Sequence, residues 1–116
     1  YQVEVVPGVT SITTCAARAG MPLAARNERL TVLPGPLPAE ELRARIEGAE
    51  SVAIMKVGRH LSKIRAVIAD LGLTDKAAYI ERASLPDELV CPLAQAPETA
   101  PYFSMIILTK GADPWL

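Results

Sequence analysis

Residues 51–57 read SVAIMKV, with apolar side chains at both odd and even positions. A run this short and this uniformly apolar is a strand buried on both faces, so the sheet that holds it must be covered on both sides. Gly58 follows, and then RHLSKIRAVIADLG. In that stretch Leu61, Ile64, Ile68 and Leu71 fall on one side of a helix. Lys63, Arg65 and Asp70 lie off it, and Gly72 ends it. A buried strand that feeds an amphipathic helix through a glycine is the repeating unit of an α/β fold.

The unit recurs on both sides of this stretch. In VEVVPGVTSITTCAARAG, Val3, Val5 and Val6 read as a buried strand and Pro7-Gly8 as a turn. Thr10 or Ser11 caps a helix whose apolar face is Ile12, Cys15, Ala16 and Ala19, with Gly20 as its stop. RLTVLPG (29–35) is a second strand with its own Pro-Gly turn. LPAEELRARIEG then places Pro38 in a first helical turn and Glu40 and Glu41 beside the positive helix end. Leu42 and Ile46 form the apolar stripe, and Gly48 ends the helix. Strands at 77–83 and 102–109, with a short addition near 89–90, close the pattern without helices between them, so part of the sheet is antiparallel. The fold class that follows is α/β: a mixed five-stranded sheet flanked by helices.

At 116 residues the chain is one domain with room for a core. Half of it is hydrophobic but only 4% is aromatic, so Val, Ile, Leu and Ala must fill that core. A net charge of −1 argues against nucleic acid as a partner. No apolar run approaches a membrane span, which gives a soluble, cytoplasmic expectation with no membrane partner. Cys15 and Cys91 sit in apolar contexts and read as buried thiols of a cytosolic protein rather than a disulfide. The chain opens at Tyr1 inside a strand-like stretch, without Met or signal peptide, and reads as a piece of a longer protein.

Chemistry-bearing patterns are scarce. One His and two distant Cys make no metal set, and neither a P-loop nor GxGxxG is present. His60 reads as a surface or capping residue. The pairs Glu40-Glu41 and Asp87-Glu88 read as solvated carboxylates. No catalytic acid or base is nominated, which suits a transfer reaction that needs mainly positioning. What stands out is the set of strand ends PGVTS, MKVG, ERAS and YFSM, each placing small, polar or soft residues beside a strand. Singly, each has a structural explanation: a helix cap at Thr10-Ser11, core filler at Met55, a turn at Ala83-Ser84, a tolerated strand polar residue at Ser104.

Together they resemble something specific. VEVVPGVTS is similar to the strand-turn-helix that opens the second domain of the tetrapyrrole methylases. VAIMKVGRHLSKIRAVI, AAYIERASLPDE and APYFSMIIL continue that resemblance, in order, across nearly the whole chain. The resemblance implies that residues 1–116 are a C-terminal domain whose N-terminal partner domain is missing. It implies S-adenosyl-L-methionine as methyl donor, held in the cleft between the domains, and C-methylation of a tetrapyrrole. The glycine loops of the family's N-terminal domain do not occur in this chain, so the segment is not expected to catalyse alone.

Carried onto this chain, Thr10 and Ser11 match a pair beside the cofactor. Met55 matches a methionine packing against its adenine or methionyl part. Ala83 matches a small residue whose backbone approaches the adenine, and Phe103 and Ser104 match a pair that contributes main-chain hydrogen bonds there. The family implies a homodimer when intact and a substrate rich in carboxylates. Lys56 and Arg59 are the first candidates to receive them, with Arg18, Arg26, Arg29 and Arg82 behind. Another methylase of the family, or a non-catalytic α/β interaction domain, stays open on sequence alone.

Overall fold

The computed structural model describes residues 2–5, 10–24 and 29–111. Five strands, β1 (Leu30–Pro34), β2 (Ser51–Met55), β3 (Ala77–Glu81), β4 (Leu89–Pro92) and β5 (Ser104–Thr109), form one sheet in the order β1-β2-β5-β3-β4. Three helices, α1 (Ser11–Ala19), α2 (Ala39–Glu47) and α3 (Leu61–Asp70), flank it. β1 and β2 are parallel, while β5 lies antiparallel between β2 and β3, and β4 is antiparallel to β3. The carboxyl ends of β1, β2 and β3 therefore share one edge with the amino end of β5.

Strand alternation divides the core. Val52 and Ile54 of β2, Tyr79 of β3, and Ile106 and Leu108 of β5 pack with Leu42 and Ile46 of α2 and Leu61, Ile64 and Ile68 of α3. The other parity, Ala78, Ile80, Met105 and Ile107, packs under Cys15 and Ala16 of α1. Complete burial of each large aliphatic side chain contributes about 1.5–3 kcal/mol, which explains how so few aromatic residues suffice.

Helix α1 is fixed at three points. The Thr10 hydroxyl accepts from the Thr13 amide at 3.3 Å. Gly20 turns left-handed at φ 66, so its own amide and that of Met21 reach the carbonyls of Ala17 and Ala16. Arg18 grips Glu88 through two nitrogens at 2.7–3.1 Å, and Glu88 also accepts from the Ser84 amide at 2.8 Å. The helix is thereby tied to the loop between β3 and β4.

Several expectations need correction. Residues 2–5 form no strand, and Val3 and Val5 are 85% and 83% exposed. An extended segment needs a neighbour for its amides and carbonyls, and none of the five strands pairs with this one. Val6, Pro7 and Gly8 lie outside the described residues. The fifth strand is instead Leu89–Pro92, longer than the short addition expected there. β2 and β3 stop before residues 57 and 83 because Lys56 and Arg82 leave the extended region at φ 56 and 49. β5 begins at Ser104 rather than at 102. Pro38 occupies the cap position rather than the first turn of α2. Asp87 and Glu88 are not merely solvated: Asp87 meets Arg82 at 3.2 Å, and Glu88 holds Arg18. Both cysteines are free, and Cys91 is only partly buried.

Candidate functional site

A cleft of about 760 Å³ opens where the carboxyl ends of β2 and β3 meet the amino end of β5. Ser11, Thr14 and Cys15 of α1 form one side. Met55 and Lys56 continue from the end of β2, and residues 82–85 from the end of β3. Tyr102 and Phe103 lead into Ser104 and Met105 of β5 on the remaining side. Its volume falls within the range of about 300–1,000 Å³ typical of small-molecule sites. The position, at the carboxyl ends of strands, is where open α/β sheets hold ligands.

The backbone around this cleft is strained in a concentrated way. Lys56, Arg82 and Ser84 adopt positive φ values of 56, 49 and 67, and all three line the cleft. For residues other than glycine this region costs about 1–2 kcal/mol each, so the surroundings must hold them there. Lys56 is held by Gly35, whose amide donates to the Met55 carbonyl at 2.7 Å. A Cβ on Gly35 would lie 2.5 Å from the Lys56 carbonyl oxygen, so only glycine lets the β1 turn approach this closely. The Arg82 amide donates to the Phe103 carbonyl at 2.9 Å, and its guanidinium spans Glu81 at 2.9 Å and Asp87 at 3.2 Å. Ser84 is held by its amide bond to Glu88.

Ser104 ties the turn after β2 to the segment that leads into β5. Its hydroxyl donates to the Pro101 carbonyl at 2.7 Å and accepts from the Gly58 amide at 3.1 Å. Its amide donates to the Tyr102 carbonyl at 3.0 Å. The hydroxyl is thus engaged in joining these two segments beside the cleft rather than offered to a ligand.

The electrostatics favour binding over acid-base chemistry. No carboxylate or imidazole lines the cleft among the described residues. Burial, with Glu88 nearby, pushes the Cys15 thiol up from its ordinary value, which makes it a poor nucleophile. On the opposite sheet face, the Tyr79 phenol donates to Glu81 at 3.0 Å. Burial and that carboxylate hold it far above the usual tyrosine range, so it stays protonated. His60 lies outside the cleft, its imidazole pushed down by desolvation and by Lys63 and Arg59. No cluster of three or more metal-ligating side chains occurs among the described residues. Besides the engaged Ser104 hydroxyl, the cleft offers two thioethers (Met55 and Met105), the hydroxyls of Ser11, Thr14, Ser84 and Tyr102, the small Ala83, and the cations Lys56 and Arg82.

Of the residues singled out in the sequence, Ser11, Met55, Lys56, Arg82, Ala83, Phe103 and Ser104 come together around this cleft. Thr10 does not line it and caps α1 instead. Arg59 sits exposed on the turn Gly58–His60, off the cleft. Arg18 is paired with Glu88, and Arg29 lies at the opposite, amino edge of β1, where its carbonyl receives the Ser51 amide. Arg26 lies outside the described residues. Sequence reasoning missed Gly35 and Tyr102. The Pro-Gly-Pro run at 34–36 and a pair of adjacent aromatics in a chain so poor in them were the available signals.

Known proteins share the sequence pattern and the fold of this chain. A family model described as tetrapyrrole (corrin/porphyrin) methylases matches residues 1–97. The precorrin-2 C(20)-methyltransferase of Sinorhizobium sp is 41% identical over 114 residues, covering 97% of this chain and 46% of that protein. The methyltransferase CobJ superposes with a TM-score of 0.68 at 16% identity, over 98% of this chain and 55% of that one, a likeness of fold. The uroporphyrin-III C-methyl transferase of Thermus thermophilus, solved with S-adenyl homocysteine, gives a TM-score of 0.61 at 25% identity, over 92% and 52%. The chain spans about half the length of the relatives it matches.

Proposed function

This chain belongs to the tetrapyrrole methylase family, and we propose that the intact protein methylates a tetrapyrrole carbon in cobalamin biosynthesis, as a precorrin-2 C(20)-methyltransferase. Another methylase of the same family is the alternative. One observation carries the reading: side chains from four distant stretches, around residues 11–15, 55–56, 82–85 and 102–105, meet at one cleft of ligand size. S-adenosyl-L-methionine, when bound, supplies an already activated methyl group.

The residues present fit that donor. The Met55 and Met105 thioethers offer soft, polarisable surface, Ala83 leaves room for a flat ring, and the Ser11 and Thr14 hydroxyls can meet polar groups. Thr10, at the helix cap, stays a candidate neighbour of the donor, and Phe103 and Ser104 candidate main-chain contacts. The task read for this chain is alignment and exclusion of water, since no carboxylate or imidazole lines the cleft among the described residues. Lys56 and Arg59 remain the candidates to receive substrate carboxylates.

Residues 1–116 are read as the C-terminal domain, with an N-terminal domain of the same chain closing the cleft. The whole acts as a cytoplasmic homodimer. The support for the domain reading is that the chain accounts for only 46% of its relative from Sinorhizobium sp. The test is methyl transfer by the intact protein from labelled S-adenosyl-L-methionine to precorrin-2 and other precorrins, with light scattering for the dimer. Transfer to precorrin-2 is expected. Transfer to a different precorrin moves the substrate within the family, and absence of transfer to any tetrapyrrole refutes the reading.

A further inference from the structure

β1 is an edge of the sheet, hydrogen-bonded on one side only, to β2. The Ser51 amide donates to the Arg29 carbonyl at 3.2 Å, and the Gly35 amide to the Met55 carbonyl at 2.7 Å. In a parallel ladder those two bonds turn the odd-numbered residues of β1 toward β2. The amides and carbonyls of Leu30 and Val32 therefore point outward, and Pro34 adds a carbonyl there without an N–H. Sheet edges are ordinarily guarded by charges, bulges or a covering element, yet residues 30–36, LTVLPGP, hold no charge. The side chains of Leu30 and Val32 are also 37% and 45% exposed, on the sheet face opposite Leu33.

Whatever covers this edge must supply extended backbone. The domain that closes the cleft approaches the carboxyl ends of β2 and β3. Leu30 lies at the far, amino end of β1, on the flank of the sheet. The strand is complementary to itself. Laid antiparallel about a two-fold axis through Thr31, Leu30 faces the partner's Val32, and the two exchange both N–H···O=C bonds, so every outward group of both residues is satisfied. A register that brings Pro34 opposite Leu30 leaves a Leu30 carbonyl without a donor.

Side chains agree with that register. Leu30 and the partner's Val32 become cross-strand neighbours on one face, which covers both. On the other face the charges are complementary. Arg29, exposed at the start of β1, has the parity of Leu33 and so shares the α2 face. Strand reversal carries it to the end of the partner's β1, where α2 begins with the exposed Glu40 and Glu41 in its first turn. We propose that two copies of the intact protein join through β1, edge to edge, in one continuous sheet with Thr31 on the two-fold axis. This deepens the homodimer reading and rests on it.

The experiment uses the intact protein and its Val32→Pro, Val32→Thr and Thr31→Cys variants. Light scattering over a concentration series gives the dimer dissociation constant. Val32→Pro deletes the outward N–H without touching the β1–β2 ladder, and it should weaken dimerisation by at least about tenfold. Val32→Thr keeps the N–H and should stay within about threefold of wild type. Thr31→Cys places two thiols at a non-hydrogen-bonded pair, where Cα atoms lie about 4.5 Å apart, within disulfide reach. Oxidised glutathione should therefore link Thr31→Cys chains into covalent dimers and leave wild-type chains, with only Cys15 and Cys91, unlinked. The cross-link also decides the matter if Val32→Pro fails to fold. A dimer that Val32→Pro leaves intact and Thr31→Cys does not link has its seam elsewhere, which overturns the proposal and spares the homodimer reading. A monomeric wild-type protein overturns both. Methyl transfer in the same samples tests the methylase reading separately.

Discussion

The amide of Gly58 donates to the hydroxyl of Ser104, 46 residues further along the chain, at 3.1 Å. The same hydroxyl donates to Pro101, so one oxygen joins the start of the α3 region to the segment that carries Tyr102 and Phe103. Ser104→Ala should strip a partner from a half-buried amide and a carbonyl together, a loss of about 1–3 kcal/mol. Urea unfolding of the intact protein reads it as a lower midpoint, and an unchanged midpoint would mean that water replaces the hydroxyl without loss.

Gly35→Ala tests the buttress beneath Lys56. Its new methyl would press on the Lys56 carbonyl at 2.5 Å, and that oxygen belongs to main chain that cannot swing aside. Destabilisation of about 1–3 kcal/mol is expected, as for other overpacked sites. Calorimetric melting measures it, and a wild-type melting curve would show that the β1 turn yields easily.

Lys56→Gly separates strain from function. Glycine accepts φ 56 freely, which returns about 1–2 kcal/mol of strain, less about 0.5–1 kcal/mol for the greater freedom of the unfolded chain. Stability should hold or rise by up to about 1 kcal/mol. Tetrapyrrole affinity should fall in the same variant, and a fall in stability instead would mean that the lysine stem contributes packing.

Acid should release α1 from the β3–β4 loop. The Arg18 guanidinium and the Ser84 amide hold the Glu88 carboxyl below its ordinary value of 4.5. A depressed folded-state pKa contributes stability that is complete above the unfolded value and is lost as pH falls through the folded one. Unfolding midpoints should therefore be level above pH 4.5 and decline below it. Glu88→Gln should lower the plateau and flatten that acid decline, and an equally steep decline in the variant would point to other carboxylates.

Much of this architecture is legible in the sequence because it rests on local rules. The apolar run of β2 and the spacing of Leu61, Ile64 and Ile68 required only a strand period and a helix period. Gly20 and Gly72 ended their helices at φ 66 and 71, as glycines past a last turn do. The stretch at Val3 and Val5 has the same strand pattern, yet stands in solvent, because pattern alone does not supply a neighbouring edge. The site was legible by resemblance and only partly by chemistry. Nothing in a Lys or Arg announces a left-handed backbone at residues 56 and 82, since that conformation is imposed by Gly35 and by the Phe103 carbonyl from elsewhere in the chain. Glu88 looked solvated for the same reason: its partner Arg18 is 70 residues away.

β5, the last strand in sequence, occupies the middle of the sheet between β2 and β3. On the ribosome, then, β1–β2 and β3–β4 emerge as two ribbons whose inner edges have nothing to bond until residues 104–109 are synthesised. At about 5–20 residues per second that interval lasts seconds, long enough for raw strand edges to meet those of neighbouring nascent chains. The strand that brings Ser104 to the cleft is also the wedge that unites the sheet, so a polypeptide cut short before it loses both at once. Chaperone demand should therefore peak in the interval before residues 104–109 leave the ribosome.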